Sequence, residues 1–184
     1  MGIGAKVSIG IGAGVLLLII ILLSTIVSVN NTLTRMEVGI KAQYEQNQNN
    51  YDNYFKKLKE VAQVPEKYST DLKNIYKECM SGRYGAGGST ATMQWIKEHN
   101  PTLDASIYKQ VQQVIEAGRN DFESNQKMLI DKKQMYESKL LVFPNNFIAS
   151  NLGFPKIDLK SYGIVTSDET EKAFKEKKAD YIKL

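Results

Sequence analysis

The chain has 184 residues, with 24 Lys and Arg against 20 Asp and Glu, one Cys and one His. Beyond an apolar N-terminal stretch the length suits a single further domain, and the near balance of charge does not suit a nucleic-acid partner. The lone Cys79 excludes an intrachain disulfide or a thiolate zinc site, and the lone His99 removes the usual member of catalytic triads and histidine metal sites.

From Ser8 to Val29 the chain carries no charge. Roughly 22 residues at about 1.5 Å each span about 33 Å, enough for a bilayer core, so a transmembrane helix is expected over 8–29 behind a short N-terminal segment, 1–7. The apolar run is longer than a secretory h-region, and Ser24, Ser28 and Asn30 make a poor cleavage site, so the span reads as an uncleaved anchor. Lys6 stands where a myristoylation motif takes Ser or Thr, which removes that reading. Lys6 and the amino terminus on one side balance Arg35 and Lys41 on the other, so charge assigns no orientation. Gly10 and Gly14 form a G-x-x-x-G pair, read either as a transmembrane packing face or as the ordinary abundance of glycine in membrane helices.

Past the span, Leu33, Met36, Ile40, Tyr44, Asn47, Tyr51, Tyr54, Leu58 and Val61 recur at spacings of three and four. This is one amphipathic seam, and it predicts that the membrane helix continues unbroken to about Gln63. Tyr and Asn at its middle positions imply cover by other helices rather than an isolated coiled coil. The tyrosines admit a ligand-stacking reading, but bundle packing with hydroxyls at the edge is the commoner use. Val64-Pro65-Glu66 breaks the pattern, and Tyr68, Leu72, Ile75 and Cys79 carry a second stripe that stops at Met80. The glycine-rich Ser81–Thr90 reads as a flexible loop; it lacks both the Lys-Ser/Thr ending of a P-loop and a G-x-G-x-x-G series, so nucleotide binding is not expected.

A short helix over Thr92–Glu98 tucks in Trp95 and Ile96. Asn100-Pro101 then reads as a cap and first-turn proline opening the longest helix, with the seam Ile107, Val111, Val114, Gly118, Phe122, Asn125, Leu129, Tyr136, Leu140 and Phe143. Pro144 ends it, Asn145-Asn146 starts a short segment to Leu152, and Gly153-Phe154-Pro155 stops that. Ile157–Val165 alternates too briefly for a sheet. Thr166 and Glu169 form a capping box for a last charged helix to about Asp180, whose large apolar contacts are Phe174 and Tyr181.

The stretch Tyr136-Glu137-Ser138-Lys139-Leu140-Leu141-Val142-Phe143-Pro144-Asn145-Asn146-Phe147-Ile148-Ala149, followed by Gly153-Phe154, resembles the C-terminal half of LemA family proteins, whose helix closes in Phe-Pro-x-Asn and then Gly-Phe. Val111–Glu116 and Arg119-Asn120 are similar to the family's Gln- and Glu-rich run upstream. The order of parts agrees as well: a membrane helix with Asn30 or Asn31 just outside it, two arms and a short tail. Where the family carries an Arg-rich turn into Ile-Pro-Asn-Leu, this chain has Gln48-Asn49-Asn50-Tyr51, so the register of the first arm is not carried over. The resemblance implies an all-α fold: an N-terminal transmembrane helix continuing into an elongated antiparallel helical bundle over 30–156, with a tail at 157–184. It also implies a structural closure of the bundle end, in which Phe143 inserts, Pro144 stops the helix, Asn145 turns the chain, and Phe147, Ile148 and Phe154 fold back.

No catalytic constellation, cofactor site or metal site is expected. Di-iron bundles need Glu-x-x-His pairs, and pilin-like proteins need an acid within the apolar span and a basic leader; the chain has neither. The expected function is that of a non-enzymatic, single-pass scaffold of the cell membrane or envelope, working through self-association or an envelope protein partner. A regulatory adaptor of a membrane enzyme, such as a protease, is the alternative.

Overall fold

The computed structural model describes residues 2–80, 88–101, 104–166 and 168–177. Among them there is helix and no strand. The elements are α1 (Ile3–Val61), a 3-10 turn (Glu66–Tyr68), α2 (Ser69–Met80), α3 (Gly88–His99), α4 (Ala105–Leu141), α5 (Asn145–Asn151), a second 3-10 turn (Leu159–Ser161) and α6 (Asp168–Glu176).

The apolar and amphipathic patterns of the N-terminal third form one helix, α1, as the absence of Pro and the helical seam require. Its most apolar eighteen-residue window has a mean hydropathy of 2.7 and no cover from the rest of the protein, and it is long and apolar enough to cross a membrane. Ser24 and Thr25 return their hydroxyls to the Ile21 carbonyl at 2.9 and 2.8 Å, which satisfies both donors within the helix. The helix stops where Gln63 adopts a φ of 50° ahead of Pro65, whose extended ψ of 144° opens the 3-10 turn.

The chain divides into two compact units, residues 1–42 with 131–162 and residues 43–130 with 163–184. In the first, α1 buries Val29, Leu33, Glu37 and Ile40, one face at spacings of three and four. Tyr136 of α4 and Asn145, Ala149 and Phe154 of the segment beyond it are also buried. The peptide bonds Phe143–Pro144 and Phe154–Pro155 are both cis.

In the second unit, α2 and α3 pack on each other, and a core forms from Phe55 and Leu58 of α1, Leu72, Tyr76 and Cys79 of α2, Ile96 of α3, and Val111 and Ile115 of α4. Asn47 donates to the Asn125 carbonyl at 3.1 Å and Tyr54 donates to the Asp121 carboxylate, so numbering falls along α4 as it rises along α1. Asn100, the expected cap, lies five residues ahead of α4, which opens at Ala105; its amide donates to the Ala62 carbonyl at 3.3 Å, just past the end of α1. Asp104 takes the capping role, its carboxylate accepting the Ser106 N–H at 2.8 Å. That bond holds the Asp104 carboxyl below the usual range.

Of the other local expectations, Thr166 donates to the Glu171 carboxylate at 2.9 Å, while the Glu169 side chain lies outside what is described. Most of the glycine-rich loop, 81–87, and Tyr181 also lie outside the described residues.

Candidate functional site

Gly10 and Gly14 are exposed in the single chain, and a Cβ at either would meet nothing within 4 Å. They form a bare stripe on the apolar part of α1.

At the other named positions the structure corrects the expected closure. Phe143 does not insert; it is 85% exposed, and Phe147 is 70% exposed. The reason for the first is helical phase. Phe143 would lie under Tyr136 and Leu140 only if α4 continued, and α4 ends at Leu141. The reason for the second is that Asn145 and Ala149, four residues apart, occupy the covered face of α5, and Phe147 stands midway between them on the opposite face. Pro144 is exposed at the start of α5, Ile148 is half-buried, and Asn145 and Phe154 are buried. Lys156 lays its ammonium 4.3 Å from the Phe154 ring centroid.

Sequence reasoning missed the group at the centre of this unit. Glu37 is only 5% exposed, and its Oε1 accepts from the Tyr136 hydroxyl at 2.5 Å and from the Lys156 N–H at 2.7 Å. The signal was present: Glu37 sits four residues after Leu33 and three before Ile40, a carboxylate on the apolar face. Burial, and then the hydrogen bond to Glu37 and its charge, push the Tyr136 phenol well above its ordinary range.

The second unit holds a hollow of about 600 Å³ between α1, α2, α4 and the segment near Gly163. Tyr44, Tyr51, Met80 and Phe122 supply its apolar lining, and Asn74, Gln126, Lys73 and Lys77 its polar lining. No Asp or Glu is among the residues that line it. Tyr51 packs its ring 5.3 Å from Tyr76 and 5.9 Å from Phe122. The hydroxyls of Tyr51 and Tyr76 are buried with no hydrogen-bond partner among the described residues. Burial, with a smaller contribution from Cys79, pushes the Tyr51 phenol up to about 12. Burial chiefly raises Tyr76 as well. Both phenols are therefore neutral in ordinary buffers and offer a donor rather than a base.

Among the described residues, no three or more His, Cys, Asp or Glu come together as metal ligands would. Compared with protein-family models, with curated proteins and with solved structures, the chain matches none.

Proposed function

We propose that the protein is a single-pass membrane scaffold, anchored in the cell membrane by the apolar part of α1 and acting through contacts with copies of itself or with an envelope protein. The observation that carries this reading is the state of α1. A long run of Ile, Leu and Val has no protein cover, yet the same helix continues without a break into packed residues from Val29 onward. A soluble protein rarely leaves such an apolar surface in water. An anchor built this way transmits position directly to the helices packed on it.

The fold reading that goes with it is a LemA-like antiparallel bundle. It is supported by the Phe-Pro-Asn stretch, the order of parts and the opposed numbering of the α1 and α4 partners. Assembly through the bare Gly10 and Gly14 stripe belongs to the same reading.

The test is native mass spectrometry and crosslinking of the full chain extracted in detergent, with its N-terminus sequenced. An intact N-terminus and a defined oligomer are expected, weakened by Gly10→Leu with Gly14→Leu if the stripe is used. A strictly monomeric chain that captures no envelope partner overturns the scaffold, and removal of the apolar run during export overturns the anchor.

A further inference from the structure

The Glu37 carboxylate meets the chain twice, at the Tyr136 hydroxyl on the way out along α4 and at the Lys156 N–H on the way back. Between these contacts lies a turn-back, and residues 140–155 of it contain no charged side chain, although charged residues make up 24% of the chain. On α1 the same change occurs at Arg35, before which no charge appears back to Lys6. Arg35 lies two residues from Glu37 and Lys139 three from Tyr136, so both charge boundaries fall within about 5 Å along the axis from the Glu37 contact. All three residues at the boundary, Arg35, Lys139 and Lys156, are cations.

On the uncharged side of that boundary, Val29 and Leu33 continue the covered face of α1 toward the apolar run. The turn-back belongs to the same compact unit, carries its own buried residues Asn145, Ala149 and Phe154, and is tied to α1 through Glu37, one helical turn from Leu33. The turn-back therefore sits beside the place where the apolar run begins, and its outer surface is apolar: Leu141 is 77% exposed, and Val142, Phe143 and Phe147 are exposed with it. At Phe147 the backbone is already satisfied. The Phe147 N–H is bonded to the Asn146 side chain at 2.7 Å and its carbonyl to the Asn151 amide at 2.7 Å. That arrangement suits a layer poor in water, where an open N–H or C=O is costly.

We propose that this turn-back seats Leu141, Val142, Phe143 and Phe147 in the interfacial layer of the bilayer crossed by α1, with Arg35, Lys139 and Lys156 at headgroup level. It forms a second, monotopic contact beside the span. The proposal rests on the reading of α1 as a membrane anchor, and the test separates the two. Tryptophan is placed singly in the full chain, with Trp95→Phe removing the native one, at Leu18→Trp in the span, Phe143→Trp and Phe147→Trp on the turn-back, and Glu137→Trp above the boundary.

Each variant is reconstituted into phosphatidylcholine vesicles with plain or brominated acyl chains, and circular dichroism checks its fold. Should Trp95→Phe disturb the fold, a nitroxide at Phe147→Cys in a Cys79→Ser background gives the same reading by its accessibility to oxygen. Leu18→Trp is expected to lose the most intensity to bromine. The two turn-back tryptophans shift to the blue and lose intensity chiefly to bromines placed high on the acyl chain, while Glu137→Trp is unaffected. If Leu18→Trp is quenched and the turn-back tryptophans are not, the interfacial contact is overturned; a blue shift without quenching assigns that surface to a protein partner or a second copy. If Leu18→Trp itself escapes quenching, the anchor fails and the interfacial contact with it.

Discussion

Each unit buries tyrosine, and the two treat the hydroxyl in opposite ways. In the first, Tyr136 is fully buried and its hydroxyl donates a hydrogen bond to Glu37, a carboxylate that also holds the returning chain at Lys156. In the second, Tyr51 and Tyr76 pack their rings against each other and against Phe122 and Phe55, and their buried hydroxyls meet no partner among the described residues. A satisfied buried polar pair fixes which surfaces meet, because breaking one side leaves the other stranded. An unpartnered hydroxyl adds a desolvation cost, and the ring alone contributes to packing. The first unit is specified by a polar contact, whereas the second is filled by aromatic area.

The largest effect expected from this contrast is that of Tyr136→Phe. It strips a buried carboxylate of one of its two donors and should destabilise the protein by about 2 kcal/mol. Thermal unfolding of the full chain in detergent, followed by circular dichroism, reads this directly; an unchanged midpoint would mean that Glu37 has found other solvation. Raising the pH probes both units. With the Tyr51 phenol raised from 10.0 to about 12, the unfolded chain releases its proton first. Stability is then complete below pH 10 and is lost as the pH climbs toward the folded value, by at most about 1.4 kcal/mol per pH unit for each such group. Tyr51→Phe should flatten that decline.

Tyr76→Phe is the counterpart of Tyr136→Phe, and the same melt should show no loss and a gain of up to about 1 kcal/mol. A clear loss would mean that the Tyr76 hydroxyl is bonded after all, and the contrast between the units would collapse. The smallest effects concern two helical glycines. Gly39→Ala adds a Cβ that meets nothing and should stabilise by about 0.5–1 kcal/mol. A Cβ at Gly118 would stand 3.1 Å from the Tyr76 hydroxyl and 3.2 Å from the Met80 methyl, so Gly118→Ala should gain less. A Tyr76→Phe background removes the contact with the hydroxyl and leaves that with the Met80 methyl, so a double-mutant cycle should show the two changes partly coupled.

Much of the helical order is legible in the sequence because it follows from periodicity and proline. Val64-Pro65 marks the end of α1, and the spacing from Ile107 to Tyr136 marks α4. What was not legible depends on groups far apart in the chain. The Glu37–Tyr136 bond joins residues 99 apart, and nothing local distinguishes Glu37 from a solvated acid except its place on an apolar face. Tyr76 rather than Ile75 fills the core of α2, because the stripe there shifts by one residue in phase. Phe143 and Phe147 were misread for a related reason: an apolar residue near a helix end reads as core until the phase of each helix is known. The cap expected at Asn100 falls to Asp104, because α4 opens at Ala105, four residues beyond Pro101.

The first unit is assembled from residues 1–42 and 131–162, and 43–130 of the second lie between them in the chain. Order of synthesis therefore matters. Val29, Leu33 and Glu37 are made early, and Tyr136 and Lys156, which bond Glu37, leave the ribosome only after most of the second unit has emerged. Closing the first unit is a long loop closure, slow when left to an open chain. If residues 43–130 condense first, the ends of that loop are held nearer and the remaining search shortens. On this view the inner segment sets the pace at which the outer one folds, and a nascent chain halted before Tyr136 would leave a buried-to-be carboxylate waiting at the foot of the apolar run.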